Sequence, residues 1–158
     1  MYSKIKDLII DLEDIDTSDL CSSWKWCIGD MDRVFIVSKM GDMFLIGKDE
    51  CIYWLAVDSG ALTKLADSLE EFEQLLNTHE NIDNWFLPKV IENLLQSKII
   101  LKKNQVYSYK KLPIIGGEYT IENIEPTDIS IHFWFAGQIY EQIKNLPDGT
   151  KIKIVVKD

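Results

Sequence analysis

Residues 33–60, RVFIVSKMGDMFLIGKDECIYWLAVDSG, hold three apolar runs rich in Val, Ile, Phe and Tyr, separated by Met40-Gly41-Asp42 and Gly47-Lys48-Asp49-Glu50. Connections this short join antiparallel neighbours, because a parallel crossover needs a dozen or more residues. The centre of the chain is therefore read as an antiparallel meander.

Helical signals flank it. In YSKIKDLIIDL the spacing of Ile5, Leu8, Ile9 and Leu12 predicts an amphipathic N-terminal helix, and the TSDL at 17–20 can cap a second short helix reaching toward Trp24. Ser68 with Glu71 forms a capping box for a helix whose Leu69, Phe72, Leu75 and Leu76 share a face. Pro88 fits a first turn, and Val90, Ile91, Leu94 and Leu95 predict a helix packed on the sheet. QVYSY and EYTIENI read as short strands. Asp128 to Leu146 reads as a long helix stopped by Pro147 and turned by Asp148-Gly149, followed by an edge strand KIKIVV.

A length of 158 residues suits one domain with a proper core and is too short for two of full size. The expected fold class is α+β, a mostly antiparallel sheet packed by about three to four helices in a single compact domain. Within it, residues 1–40 form an N-terminal helical region and first strand, and residues 41–158 the main unit. The opening residues lack a small-residue cleavage site, and no run of 18 apolar residues occurs, so a cytoplasmic protein that avoids membranes is expected.

The chemistry-bearing residues exclude several classes. Cys21, Cys27 and Cys51 have no Cys-x-x-Cys spacing, which fits reduced thiols, and neither His79 nor His132 has a metal-ligand spacing. His79 is expected to serve carbonyls at a helix end. Gly116-Gly117 resembles a phosphate loop only superficially, since neither Gly-x-Gly-x-x-Gly nor Gly-Lys-Ser/Thr is present and Glu118 follows at once. The pair is read as a turn needing positive φ, and Pro147-Asp148-Gly149 as the turn that ends the long helix. Glu118 with Glu122 is a nonspecific carboxylate pair, and no Gly-x-Ser-x-Gly elbow appears. No catalytic residue, cofactor or metal site is assigned.

Charge points to a partner. The net charge is -9, and residues 1–100 hold 19 acids against 9 bases. Asp11, Glu13, Asp14, Asp16 and Asp19 form a run without a base, with Trp24 and Trp26 close behind. Such a field repels nucleic acid and attracts basic proteins. The run is either a docking surface, with the tryptophans as apolar anchors, or a solvated helix face. Lys102, Lys103, Lys110, Lys111, Lys151, Lys153 and Lys157 are read as an edge-protecting face, not a nucleic-acid site. Most tryptophans are assigned to the core.

The order of the segments carries a resemblance. Gly-Asp-x-Phe at Gly41 to Phe44, Tyr53-Trp54-Leu55, Gly116-Gly117-x-Tyr119, and Gly137-Gln138-Ile139 leading to Leu146-Pro147-Asp148-Gly149 resemble the C-terminal domain family of bacterial immunity proteins against type VI secretion DNase effectors, over residues 41–156. Members often follow a GAD-like region, for which residues 1–40 are short. The resemblance implies a non-catalytic protein that occludes a cognate toxin, a basic nuclease. The alternative is a small-ligand binder or regulatory adaptor of the SUKH-like group, with a deep pocket near the Trp-rich sheet. The toxin-contacting residues and the oligomeric state are not legible.

Overall fold

A computed structural model describes residues 2–153. The expected meander is present and has a fourth strand: β1 (Met31–Val37), β2 (Met43–Gly47), β3 (Ile52–Ala56) and β4 (Ala61–Ala66) pair antiparallel in sequence order. β4 escapes the sequence reading because Thr63 and Lys64 interrupt its apolar positions, and pairing with β3 supplies what its local pattern lacks.

β2 is buried at every position. Met43 and Leu45 face one core, with Trp24, Phe133 and Ile139, while Phe44 and Ile46 face another, with Phe72, Trp85 and Phe86. Helices cover both faces, which is why MFLIG reads as a continuous apolar run without alternation.

α1 (Thr17–Cys21) and α2 (Lys25–Ile28) flank a 3-10 turn at Ser22–Trp24 on the first face. α3 (Leu69–Leu75) and α4 (His79–Phe86) cover the second. Ser68 caps α3, accepting from Glu71 N–H at 3.1 Å, and the Glu71 carboxylate reaches back one residue before the cap to accept from Asp67 N–H at 2.8 Å. α5 (Pro88–Gln96) starts on its proline. β5 (Gln105–Tyr109) and β6 (Ile124–Asp128) form a separate two-stranded sheet, and α6 (Ile129–Ile143) crosses the first core, capped by Asp128 through the N–H groups of Ser130 and Ile131.

Five expectations are corrected. The N-terminal residues form 3-10 turns at Tyr2–Lys4 and Lys6–Leu8 and then run extended along β1, where Ile10 N–H donates to the Val37 carbonyl at 2.9 Å and Lys39 N–H to Leu8 at 2.8 Å. Unpaired backbone groups at the sheet edge outweigh helical spacing there. EYTIENI takes a 3-10 turn at Ile121–Asn123 and becomes strand only at Ile124. The Asn123 side chain takes over the pairing, donating to the carbonyls of Lys111 and Glu118, both at 2.9 Å, and accepting from Lys111 N–H at 3.0 Å. His79 begins α4 instead of ending a helix, and its side chain is exposed. α5 packs through Ile91 and Leu94 on Tyr107 and Ile124 of the small sheet, not on the meander. Of the strand expected over 151–156, residues 151–153 belong to no regular element, and residues 154–156 lie outside the described residues.

The Gly116-Gly117 turn is present, with a different reason at each position. Gly116 has φ +98°, whereas Gly117 is needed because a Cβ there would stand 1.8 Å from the Lys111 carbonyl oxygen. Asparagine tolerates the left-handed region, but no side chain fits against that carbonyl. Gly117→Ala is expected to cost about 1 to 3 kcal/mol in urea unfolding, and clearly more than Gly116→Asn. Equal losses would assign both glycines to φ.

The β1–β2 turn ties the layers together through polar groups. Gly41 has φ +82°, and its carbonyl accepts from buried His132 of α6 at 2.8 Å. Since a carbonyl only accepts, Nε2 carries the proton and Nδ1 is the acceptor of the neutral ring. Asp42 accepts from Val57 N–H at 2.9 Å and from the Trp54 indole at 3.1 Å. Burial pushes the His132 pKa down to about 4. Burial likewise pushes the Asp42 carboxyl up to about 7, with the Asp58 charge adding to the rise while the bonds from Val57 and Trp54 oppose it.

These shifts act on stability with opposite signs. Between about pH 4 and 6.5 the unfolded chain holds a His132 proton that the folded chain lacks, so rising pH favours folding. From 3.8 to about 7 the folded chain holds an Asp42 proton that the unfolded chain has lost, so rising pH disfavours folding. The two largely cancel over their shared window. Asp42→Asn removes one of them, and its stability is expected to climb with pH there by up to about 1.4 kcal/mol per unit. A flat urea-midpoint profile for the variant would mean that His132 keeps its proton in the fold.

Candidate functional site

The acidic run lies where extended chain enters α1, and all five acids are exposed. Most of them also hold local structure. Asp11 accepts from Glu13 N–H at 3.0 Å, and Asp16 caps α1 through Ser18, which holds its carboxyl below the usual range. Asp14 pairs with Lys103 at 2.9 Å, and Asp19 accepts from the Ser130 hydroxyl at 2.9 Å at the start of α6.

The two tryptophans behind the run part company. Trp24 is fully buried, its indole donating to the Phe133 carbonyl at 2.9 Å, so it presents no surface to a partner in this structure. Trp26 is half-buried, stacked on Trp24 with 5.7 Å between centroids, and the Lys144 ammonium sits 5.0 Å from its ring centre. Of the other tryptophans Trp85 is buried, and Trp54 and Trp134 are half-buried. Pro147, Asp148 and Gly149 turn the chain after α6, where the Pro147 carbonyl accepts from Thr150 N–H at 3.2 Å and Gly149 has φ +80°. With Trp26, Tyr140 and Ile152 they border a hollow of about 570 Å³ beside the end of the described residues. Lys103 is drawn to Asp14, and Lys157 lies outside the described residues.

A site absent from the sequence reading lies on the other side of the β1–β2 turn. Asp42, Trp54, Asp58, Asn84, Tyr109 and His132 line a cavity of about 100 Å³ together with apolar Met40, Val57, Leu87 and Leu112. Asp42 and His132 form its inner wall through the bonds described above. Asn84 on α4 is exposed and Asp58 half-buried, so the cavity opens between α4 and the β3–β4 turn. No lysine or arginine lines it. Burial and the charges of Asp58 and Asp42 push the Tyr109 phenol up to about 12, while burial and then Asp58 raise those of Tyr119 and Tyr140. Tyr119 meets Tyr109 edge-on at 5.6 Å.

Small-ligand pockets measure about 300 to 1,000 Å³, well above this one. Its local signals were ordinary: Gly41-Asp42 looks like any turn, and His132 sits inside an apolar helix. Only the tertiary fold joins positions 91 residues apart. Among the described residues no group of three or more His, Cys, Asp or Glu side chains is placed to hold a metal ion. The three cysteines are free, and burial raises the thiols of Cys21 and Cys27, the opposite of what activates a nucleophile.

Comparison with known proteins gives a likeness of fold and a likeness to a family. The crystal structure of Atu4351 from Agrobacterium tumefaciens is similar in fold, with a TM-score of 0.56 at 17% identity over 77% of this chain, and the match spans 64% of that chain's length. No curated protein matches. Residues 66–140 match the family described as T6SS immunity protein Tdi1, C-terminal. That segment runs from the end of β4 into α6 and carries Asn84, Leu87, Tyr109, Leu112 and His132 of the cavity lining, while Met40, Asp42, Trp54, Val57 and Asp58 lie outside it.

Proposed function

We propose that this chain is an immunity protein that acts in the cytoplasm by binding a cognate toxin and covering its working surface, with no chemistry of its own. The toxin is a basic nuclease effector, and residues 1–40 and 41–158 act as one unit. The observation that carries the reading is the match of residues 66–140 to a type VI immunity domain.

Charge supports the finer part. A nuclease must bind a polyanion and so presents a basic face, and a chain of net charge -9 is drawn to such a face over long distances. Asp11, Glu13 and Asp14 are exposed and close in sequence, while Trp26 offers a half-buried ring apart from them, beside Gly137 and Lys144 toward the end of α6. Exposed acids set the rate of encounter more than the strength of the final complex. No helix among the described residues is long and apolar enough to cross a membrane.

The test pairs the chain with a candidate nuclease effector from its own genome. Co-expression is expected to rescue growth, and the purified chain to block DNA cleavage at equimolar concentration. Failure of both would overturn the immunity reading. Replacing Asp11, Glu13 and Asp14 by Asn, Gln and Asn keeps the hydrogen-bond acceptors while removing three charges. Association at low salt should then slow by about tenfold or more and lose much of its salt dependence, with dissociation little changed. An unchanged association rate by surface plasmon resonance would move the docking face away from this run.

A further inference from the structure

We infer that the cavity between the β1–β2 turn, the β3–β4 turn and α4 is a socket for one cationic side chain, an arginine or lysine, presented by the protein partner; this rests on the immunity reading and adds a specific contact to it. The walls are of two kinds. Asp42 and Asp58 supply carboxylates, and Trp54 and Tyr109 supply aromatic rings. That combination suits an organic cation, which carboxylates hold by charge-assisted hydrogen bonds and ring faces attract.

Asp42 has capacity left for it. Each of its oxygens accepts one hydrogen bond, from Val57 N–H and from the Trp54 indole, and an ionised carboxylate has about four lone-pair sites. No base in the lining balances the two acids, and neutral His132 adds no positive charge. Without a counter-charge the Asp42 carboxyl keeps its proton up to about pH 7, and an arriving cation would favour the ionised form.

Size and charge narrow the occupant. The cavity holds about three waters by liquid volume, enough for an ammonium or guanidinium head and too little for a metabolite. A free amino acid would bring its own carboxylate, which this lining cannot pair. A metal ion would find no set of three ligating side chains among the described residues. A side chain entering from a protein surface avoids both objections. Its stem would run past Tyr119, which is 66% exposed and braced against Tyr109.

The experiment uses the isolated chain, labelled with nitrogen-15 and titrated with N-acetyl-arginine amide, N-acetyl-lysine amide and uncharged N-acetyl-citrulline amide. The two cationic probes are expected to shift the Trp54 indole and Val57 amide signals, and the citrulline probe to bind about tenfold more weakly. Asp58→Asn removes a charge at the mouth, leaves the backbone carbonyl that accepts from Tyr140 at 2.7 Å, and should weaken the arginine probe about threefold. Absence of localised shifts, equal binding of citrulline, or an unaffected Asp58→Asn would each overturn the socket. Because no toxin enters this measurement, such a failure leaves the immunity reading to its own test, and growth rescue without probe binding would place the contact elsewhere.

Discussion

The turn at residues 38–42 is the junction on which the rest of the structure depends. Lys39 N–H holds the N-terminal segment through Leu8, and the Lys39 carbonyl accepts from Tyr107 N–H of the small sheet at 2.7 Å. The Gly41 carbonyl holds α6 through His132, and Asp42 holds the β3–β4 turn through Val57. Four separate parts of the chain thus meet on one turn. A Cβ at Gly41 would lie 2.3 Å from the His132 ring, so the closeness of α6 depends on that glycine. Hydrogen bonds each worth about 1 kcal/mol net would be modest alone. Here each joins elements that packing already brings together, and leaving a buried partner unsatisfied costs more than the bond contributes.

Acidity is divided between two kinds of place. The strip from Asp11 to Asp19 is exposed, and several of its carboxylates cap turns or pair with Lys103 and Ser130, so structure and long-range field come from the same residues. Asp42 is withdrawn from solvent and is held by two N–H groups that cannot neutralise it. Exposed charge is screened by salt within about 10 Å at 0.1 M, while a withdrawn carboxylate is screened much less.

Local signals made much of the fold legible. Short turns gave the meander, Ser68-Glu71 and Pro88 gave helix starts, and Asp128 gave the start of α6. What failed depended on distant partners. Ile5, Leu8, Ile9 and Leu12 are spaced as in a helix, yet the chain takes 3-10 turns up to Leu8 and the free edge of β1 extends it from Ile9. The strand pattern of EYTIENI yields to one asparagine side chain that closes the loop on Lys111. Trp24 and Trp26 differ only in which way α6 lets them face, a difference that two residues of sequence do not contain. The cavity was illegible for the same reason, since none of Asp42, Trp54, Asn84, Tyr109 and His132 is unusual in its own segment. The acidic run was legible because exposed charge needs no partner to declare itself.

The cavity's chemistry has a consequence for stability. A fold that places a carboxyl where ionisation is disfavoured is less stable near neutral pH than one with an apolar residue of the same shape. That cost is offset by β2, whose burial on both faces brings Phe44, Phe72, Trp85 and Phe86 into one aromatic cluster with neighbouring centroids 5.0 to 6.5 Å apart. Rings at such separations add about 0.5 to 1.5 kcal/mol per pair beyond the area they bury. The cluster lies on the side of the sheet opposite α6, and Trp54, stacked on Phe44 with 6.2 Å between centroids, joins it to the cavity that His132 walls from the other side. The aromatic core thus holds the fold while Asp42 stays where its ionisation is disfavoured.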